Sequence, residues 1–233
     1  LNSHSRQLLL LKIFDHAGFT LLPVVAIFGF LALTAFRASA ASDFGQFIQK
    51  LQQHYDATTS FTANFKQTLT SAGGPSRRRS GKIFYQKPGK LRWEFSPPQS
   101  ETIVSDGMTL FDFDPGLNQV VEMPVQNAFK SRSAAAFFLG LGNLQHDFTI
   151  ESLKPDSEDQ AKIKLKPKSG GDSIELVIDK HTLNIEEVHI ADALGNTNQI
   201  DLSDLQRNLP LDASLFKFTP PADADIVTAP KHL

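Results

Sequence analysis

From residue 61 onward, apolar residues recur at every second position and turn residues interrupt them at short, even intervals. That period constrains the fold more than any other feature, because only a strand places alternate residues on opposite faces. Phe61, Ala63, Phe65 and Leu69 lie on one side of a first strand, and Thr62, Asn64 and Lys66 on the other. Further strands are predicted over Lys82–Lys87, Lys90–Ser96, Glu101–Ser105, Met108–Asp114 and Asn118–Met123. Between them stand Pro88-Gly89, Pro97-Pro98, Asp106-Gly107 and Pro115-Gly116, and Asp-Gly between alternating runs is a strong hairpin signal. Gly73-Gly74-Pro75 together with Arg77-Arg78-Arg79 reads as a turn. Five more strands follow over Asp147–Leu153, Ala161–Lys166, Ser173–Asp179, Ile185–Ala191 and Thr197–Gln206, making eleven. Ile163 and Leu165 alternate with Lys162, Lys164 and Lys166, the pattern of a sheet with one wet face. The phase slips between Ile185 and Val188, which predicts a bulge at Glu186-Glu187.

Two segments break the period. Phe44, Phe47, Ile48, Leu51 and Tyr55 fall at helical spacing, behind Ser42 as N-cap and Asp43 in the first turn. Ser133–Leu141 is a short apolar run whose Phe137, Phe138, Leu139 and Leu141 point in several directions round a helix. A helix that only caps a core needs one stripe. The alternatives are therefore a packed core with one helix end buried by a loop, or an apolar cavity between sheet and helices. The fold class that results is mainly β: one domain, a large curved antiparallel sheet whose apolar face is covered by an N-terminal and a middle helix.

The first forty residues do not belong to that domain. Phe19–Phe36 is almost wholly apolar, Arg6 and Lys12 precede it, and Ala38-Ser39-Ala40 follows. This is the pattern of a cleavable secretory signal, with cleavage expected after Ala40; a retained membrane anchor is the rival reading. The exported domain would then be 41–233. Removing Arg6, Lys12, Arg37 and Asp15 leaves 20 basic and 24 acidic residues, a net of −4, which disfavours a nucleic-acid binder. The chain has no cysteine, so disulfides, thiolate metal sites and an N-terminal lipidated cysteine are all excluded. Stability in an oxidising compartment has to come from burial alone, which about 190 residues can supply.

Signatures of catalysis are missing. There is no G-x-S-x-G, no H-E-x-x-H and no phosphate-binding glycine loop, so no enzyme, cofactor or metal is expected. His54, His146, His181, His189 and His232 match no metal spacing. Asp112 and Asp114 share a strand face and could act as an acid/base pair, but a solvated strand end is the simpler reading. Arg77-Arg78-Arg79 could meet an anionic head group, but as an exposed loop it need do no more than keep the chain soluble. The apolar inventory is richer: 19 Phe against one Trp and two Tyr, with Leu91, Trp93 and Phe95 on one strand face and Phe111 and Phe113 on another.

Several blocks of sequence resemble one known family. Gln86-Lys87-Pro88-Gly89-Lys90-Leu91-Arg92-Trp93-Glu94, Ile103-Val104-Ser105-Asp106-Gly107 and Asp114-Pro115-Gly116-Leu117-Asn118-Gln119-Val120 are similar to segments of the LolA family of periplasmic outer-membrane lipoprotein carriers. Phe61-Thr62-Ala63-Asn64-Phe65-Lys66-Gln67 resembles the family's first strand, and Phe216-Lys217-Phe218-Thr219-Pro220-Pro221 its closing motif. The resemblance covers about residues 42–227 and the blocks stand in the family's order. It implies an open antiparallel half-barrel of about eleven strands with helices as a lid. It also implies a shuttle, which takes acylated lipoproteins from an inner-membrane ABC releasing complex and gives them to an outer-membrane receptor, acting as a monomer in the periplasm.

Position by position, the resemblance assigns Leu91, Trp93, Phe95 and Ile103 to the acyl-binding concave side. It assigns Phe137, Phe138, Leu139 and Leu141 to the middle lid helix, and Phe44, Phe47, Ile48 and Leu51 to the N-terminal helix. Many members carry Arg before the Pro of the Lys87-Pro88 motif, where it hydrogen-bonds the lid. Lys87 keeps the charge but lacks the planar five-donor fork, so a looser latch is expected. The rival functions are a binding module of the same fold for another amphiphile, such as a glycolipid, an envelope lipid sensor, and an exported hydrolase. A cavity lined by carboxylates near Asp112 and Asp114 would favour the last.

Overall fold

A computed structural model describes residues 43–98, 100–125 and 143–228. The expected export signal at 1–40 and the expected middle helix, with Phe137, Phe138, Leu139 and Leu141, lie outside the described residues.

Residues 43–56 form helix α1, as their apolar stripe requires. Twelve strands follow: β1 (Ser60–Thr70), β2 (Ser76–Gln86), β3 (Lys90–Phe95), β4 (Thr102–Asp106), β5 (Thr109–Asp114), β6 (Gln119–Pro124), β7 (Phe148–Leu153), β8 (Gln160–Pro167), β9 (Ser173–Asp179), β10 (Ile185–Ala191), β11 (Thr197–Arg207) and β12 (Asp225–Thr228). A one-turn helix, α2 (Leu144–Asp147), precedes β7, capped by the Asn143 side chain, which accepts from His146 N. A 3₁₀ turn spans Ala213–Phe216. All twelve strands belong to one open sheet in the order β12-β6-β5-β4-β3-β2-β1-β11-β10-β9-β8-β7. Neighbours are antiparallel except β12, which runs parallel to β6.

Three expectations need correction. Arg77-Arg78-Arg79 is not a turn: β2 starts at Ser76, and Leu69 pairs with Arg77 and Thr70 with Ser76. Three consecutive arginines carry no apolar alternation, and the long β1–β2 hairpin imposes extended backbone on them by ladder pairing. The sheet has twelve strands instead of eleven, because all four residues of β12 are exposed and show no buried face. β12 is placed by contacts far apart in sequence: Asp225 N donates to Asn118 O, and Asn118 Nδ2 donates to Asp223 O. The third correction is α2, where a strand was expected to begin at Asp147. The bulge at 185–187 is present as expected, where the β9–β10 register shifts between Ile185 and Glu187.

Two glycines permit close approach. Gly107 sits at φ +100° in the β4–β5 hairpin, and a Cβ there would lie 2.9 Å from Pro88 O. At Gly81 a Cβ would lie 1.8 Å from Glu94 O and 2.9 Å from Phe65 Cε1, so only glycine lets β3 and the Phe65 ring come this near.

The inner face of the sheet, the one α1 packs on, carries two apolar clusters. Ile48, Leu51 and Tyr55 of α1 bury with Phe148, Ile163, Leu165, Ile174, Leu176, Ile178, Ile185 and Val188 from β7–β10. Phe61, Phe65, Ile83, Tyr85, Leu91 and Phe95 form the second on β1–β3. Ile200 and Leu202 of β11 pack against both. The outer face of β3–β5 is covered by the chain's return: Phe218 lies 5.5 Å from Phe111 and 5.9 Å from Phe113, ring to ring, and Arg92 Nη1 donates to Leu215 O. Phe111 and Phe113 therefore face away from Trp93, and they anchor the closing motif.

Candidate functional site

Strand register arranges the inner face of β1–β6 in rows. Phe61, Tyr85, Leu91, Ser105, Leu110 and Met123 make the first. Ala63, Ile83, Trp93, Ile103, Asp112 and Val121 make the second. Phe65, Gly81 and Phe95 lie in the third, and Gln67 and Arg79 in the fourth. The face is thus mostly apolar and aromatic near the α1 end of the strands, with Ser105 and Asp112 as its polar members, and becomes polar toward the β1–β2 turn. Phe65 meets Trp93 edge-on at 5.0 Å and Phe95 edge-on at 5.1 Å, while Trp93 and Phe95 stack at 6.0 Å. Such a surface offers area without directional bonds.

The four sequence-predicted residues of this face come together. Leu91, Trp93 and Phe95 share it, and Ile103 stands directly opposite Trp93. Leu91 and Phe95 are buried; Trp93 and Ile103 are half-buried. The α1 residues lie with the other cluster. Ile48 and Leu51 are fully enclosed against β8–β10, while Phe44 and Phe47 pack at its margin. A ligand therefore meets Leu51 only if α1 lifts. Phe61, Phe65 and Tyr85 complete the aromatic surface but were not among the predicted site residues. The alternation in β1 was visible in the sequence, whereas nothing local tied it to Trp93.

Lys87 holds α1 in place. Its Nζ donates to Tyr55 O at 2.8 Å and to Asp56 O at 2.9 Å, satisfying carbonyls that end the helix. Tyr55 Oη accepts from Ile185 N at 3.1 Å, and Gln52 Oε1 from Leu144 N at 2.8 Å. Arg207 Nη1 lies 3.0 Å from His54 Nδ1. Burial, then the Arg207 charge, hold the His54 pKa below its usual value.

Charged groups occupy the polar end. Arg79 pairs with Glu101, and its guanidinium carbon sits 3.5 Å from the centre of the Phe95 ring. Asp112 hydrogen-bonds Glu101, and burial followed by that neighbouring charge pushes its pKa up to about 6. Asp112 is therefore more than a solvated strand end. Asp114 is what the simple reading expected: its Oδ1 accepts from Gly116 N and Leu117 N and closes the turn. The carboxylate beside Asp112, that of Glu101, is already paired with Arg79. Among the described residues no three His, Asp or Glu gather as a metal site would need. A polar pocket of about 340 Å³ lies at the same end of the strands; Gln67 and Arg79 help to line it, with Lys66, Arg78, Ser96 and Asp201.

The family model for outer membrane lipoprotein carrier protein LolA matches residues 56–219. The chain belongs to the LolA family. An outer-membrane lipoprotein carrier protein of Dechloromonas aromatica is 33% identical over 93% of this chain and 96% of its own length. One from Bordetella pertussis is 33% identical over 87% of this chain and 94% of its own. The crystal structure of an uncharacterized conserved protein from Thermus thermophilus superposes with a TM-score of 0.50 at 15% identity, covering 79% of this chain and 99% of that one. The last likeness concerns the fold alone. The LolA match takes in the whole inner aromatic surface, Lys87 and the closing Phe216–Thr219.

Proposed function

We propose that this LolA-family chain carries the acyl chains of lipoproteins through the periplasm on the inner face of its sheet. The observation that carries the reading is the continuous apolar surface running from Phe61, Tyr85 and Leu91 to Trp93, Phe95 and Ile103, with α1 beside it and its last turn tied by Lys87. The protein acts by binding and transfer, with no chemical step. Each methylene moved from water to an apolar site is worth about 0.8 kcal/mol, so a chain of a dozen methylenes is held out of water by ~10 kcal/mol. Acylated cargo therefore cannot cross an aqueous gap unshielded.

Direction follows from a ladder of affinities. An ATP-driven ABC complex in the inner membrane loads the carrier, and an outer-membrane receptor binds the chains more tightly and takes them. Aromatic area without hydrogen bonds suits this role, since it binds chains of varied cargo and lets them slide out. Lys87 tunes the step by holding the end of α1.

The reading is tested by adding the protein, purified after export, to spheroplasts that carry the releasing complex from the same source. Acylated lipoprotein should appear in the supernatant bound one to one, and Trp93→Glu should abolish release while the protein stays folded. Absence of release by the unaltered protein would discard the cargo assignment.

A further inference from the structure

The polar end of the inner face is poorly explained by hydrocarbon alone. Five buried side-chain nitrogen or oxygen atoms among the described residues have no hydrogen-bond partner, and three are on this face: Gln67 Oε1, Arg79 Nε and Trp93 Nε1. The other two, on His54 and Asn184, belong to side chains that interact with each other at the far end of α1. Gln67 is 9% exposed and stands directly opposite Arg79. Its Nε2 donates to Asn198 Oδ1 at 3.1 Å, which fixes the amide and leaves Oε1 as the unused atom. The Arg79 guanidinium is held between Glu101 and the Phe95 ring, so Nε cannot turn away to find a partner. Burying such atoms unpaired is costly, and no acyl chain can satisfy them.

We propose that Gln67, Arg79 and Trp93 form a head-group site that hydrogen-bonds the ester and amide linkages of an acylated ligand. The inference rests on the acyl-carrying reading above and adds an orientation to it. Arg79 Nε–H and Trp93 Nε1–H donate to carbonyl oxygens of the linkage. Gln67 Oε1 accepts from its amide N–H. The chains then run toward Phe61, Tyr85 and Leu91, and the linkage stays at the edge marked by the β1–β2 turn. The same carbonyl chemistry occurs in a triacylated cysteine and in a diacyl phospholipid; only the former adds an amide.

The test uses the unaltered protein purified from the periplasm and follows the emission of Trp93, the only tryptophan in the chain. The probes are a tripalmitoyl-glycerylcysteinyl peptide, its counterpart with every acyl carbonyl replaced by methylene, and phosphatidylethanolamine of equal chain length. Gln67→Leu and Arg79→Met should each weaken the carbonyl-bearing peptide roughly tenfold, the effect of losing one good hydrogen bond, and leave the methylene form unchanged. If Arg79→Met fails to fold, Gln67→Leu carries the test. A peptide preference over phosphatidylethanolamine would place the amide in the site; equal binding would leave the ester carbonyls as the recognised group. Equal affinity for carbonyl and methylene peptides, unchanged in the variants, would overturn the head-group site and leave the acyl surface standing. Failure of both peptides to bind would overturn the acyl reading and the site with it.

Discussion

Asp112 shows how one residue's setting changes its chemistry. Its carboxyl faces Glu101, Arg79 and Asp114, and burial and Glu101 raise its folded pKa to about 6 against an unfolded value near 3.8. The folded state therefore binds the extra proton between those values, and ionisation at higher pH opposes folding. Asp112→Asn should leave the melting temperature unchanged below pH 3.8. Its stabilisation should grow as pH rises to 6 and hold steady above that. The gain is on the order of 1 kcal/mol once solvent screening of a half-exposed group is allowed for. Thermal melts of both proteins from pH 3 to 8 check this, and a constant difference across the range would refute it. Gly81 is the opposite case, a residue chosen for what it lacks. Gly81→Ala puts a Cβ against the Glu94 carbonyl and the Phe65 ring, and should cost at least about 2 kcal/mol by urea titration. Neither role was legible locally: Asp112 looked like a solvated strand end, and Glu101, eleven residues away, joins it only through β4–β5 pairing.

At the scale of elements, α1 is the part that the proposed transfer would have to move. Its apolar stripe was plain in the sequence because helical burial writes a 3.6-residue period directly. The contacts that tether it were not, since Lys87, Ile185 and Arg207 reach it from the β2–β3 turn, β10 and β11. Lys87→Met should free the end of the helix without unfolding the sheet. Amide exchange within 50–56 should quicken roughly tenfold relative to β8–β10, as expected for the loss of two hydrogen bonds to a helix end. Lys87→Arg should tighten the hold and slow transfer of cargo to a receptor; unchanged loading and transfer in that variant would remove Lys87 from the mechanism. The strands show the same division. Those with one buried face were readable, but the basic start of β2 and the fully exposed β12 were not, because partner strands alone make them strands.

For the whole molecule, the sheet separates two uses of aromatic residues. Phe111, Phe113 and Phe218 fasten the closing motif to the outer face, while Phe61, Phe65, Trp93 and Phe95 line the inner one. Alternation along β3 and β5 suggested separate faces, but which one meets cargo follows only from the position of α1. A photoreactive benzoylphenylalanine placed in cells at Ile103 on the inner face, or at Phe84 on the outer, tests the division. Ile103 should crosslink to lipoprotein, the crosslink should vanish when the lipoprotein's acylated cysteine is replaced by serine, and Phe84 should give none. Crosslinks from Phe84, or from Ile103 regardless of acylation, would show that the inner face is not where the chains are carried.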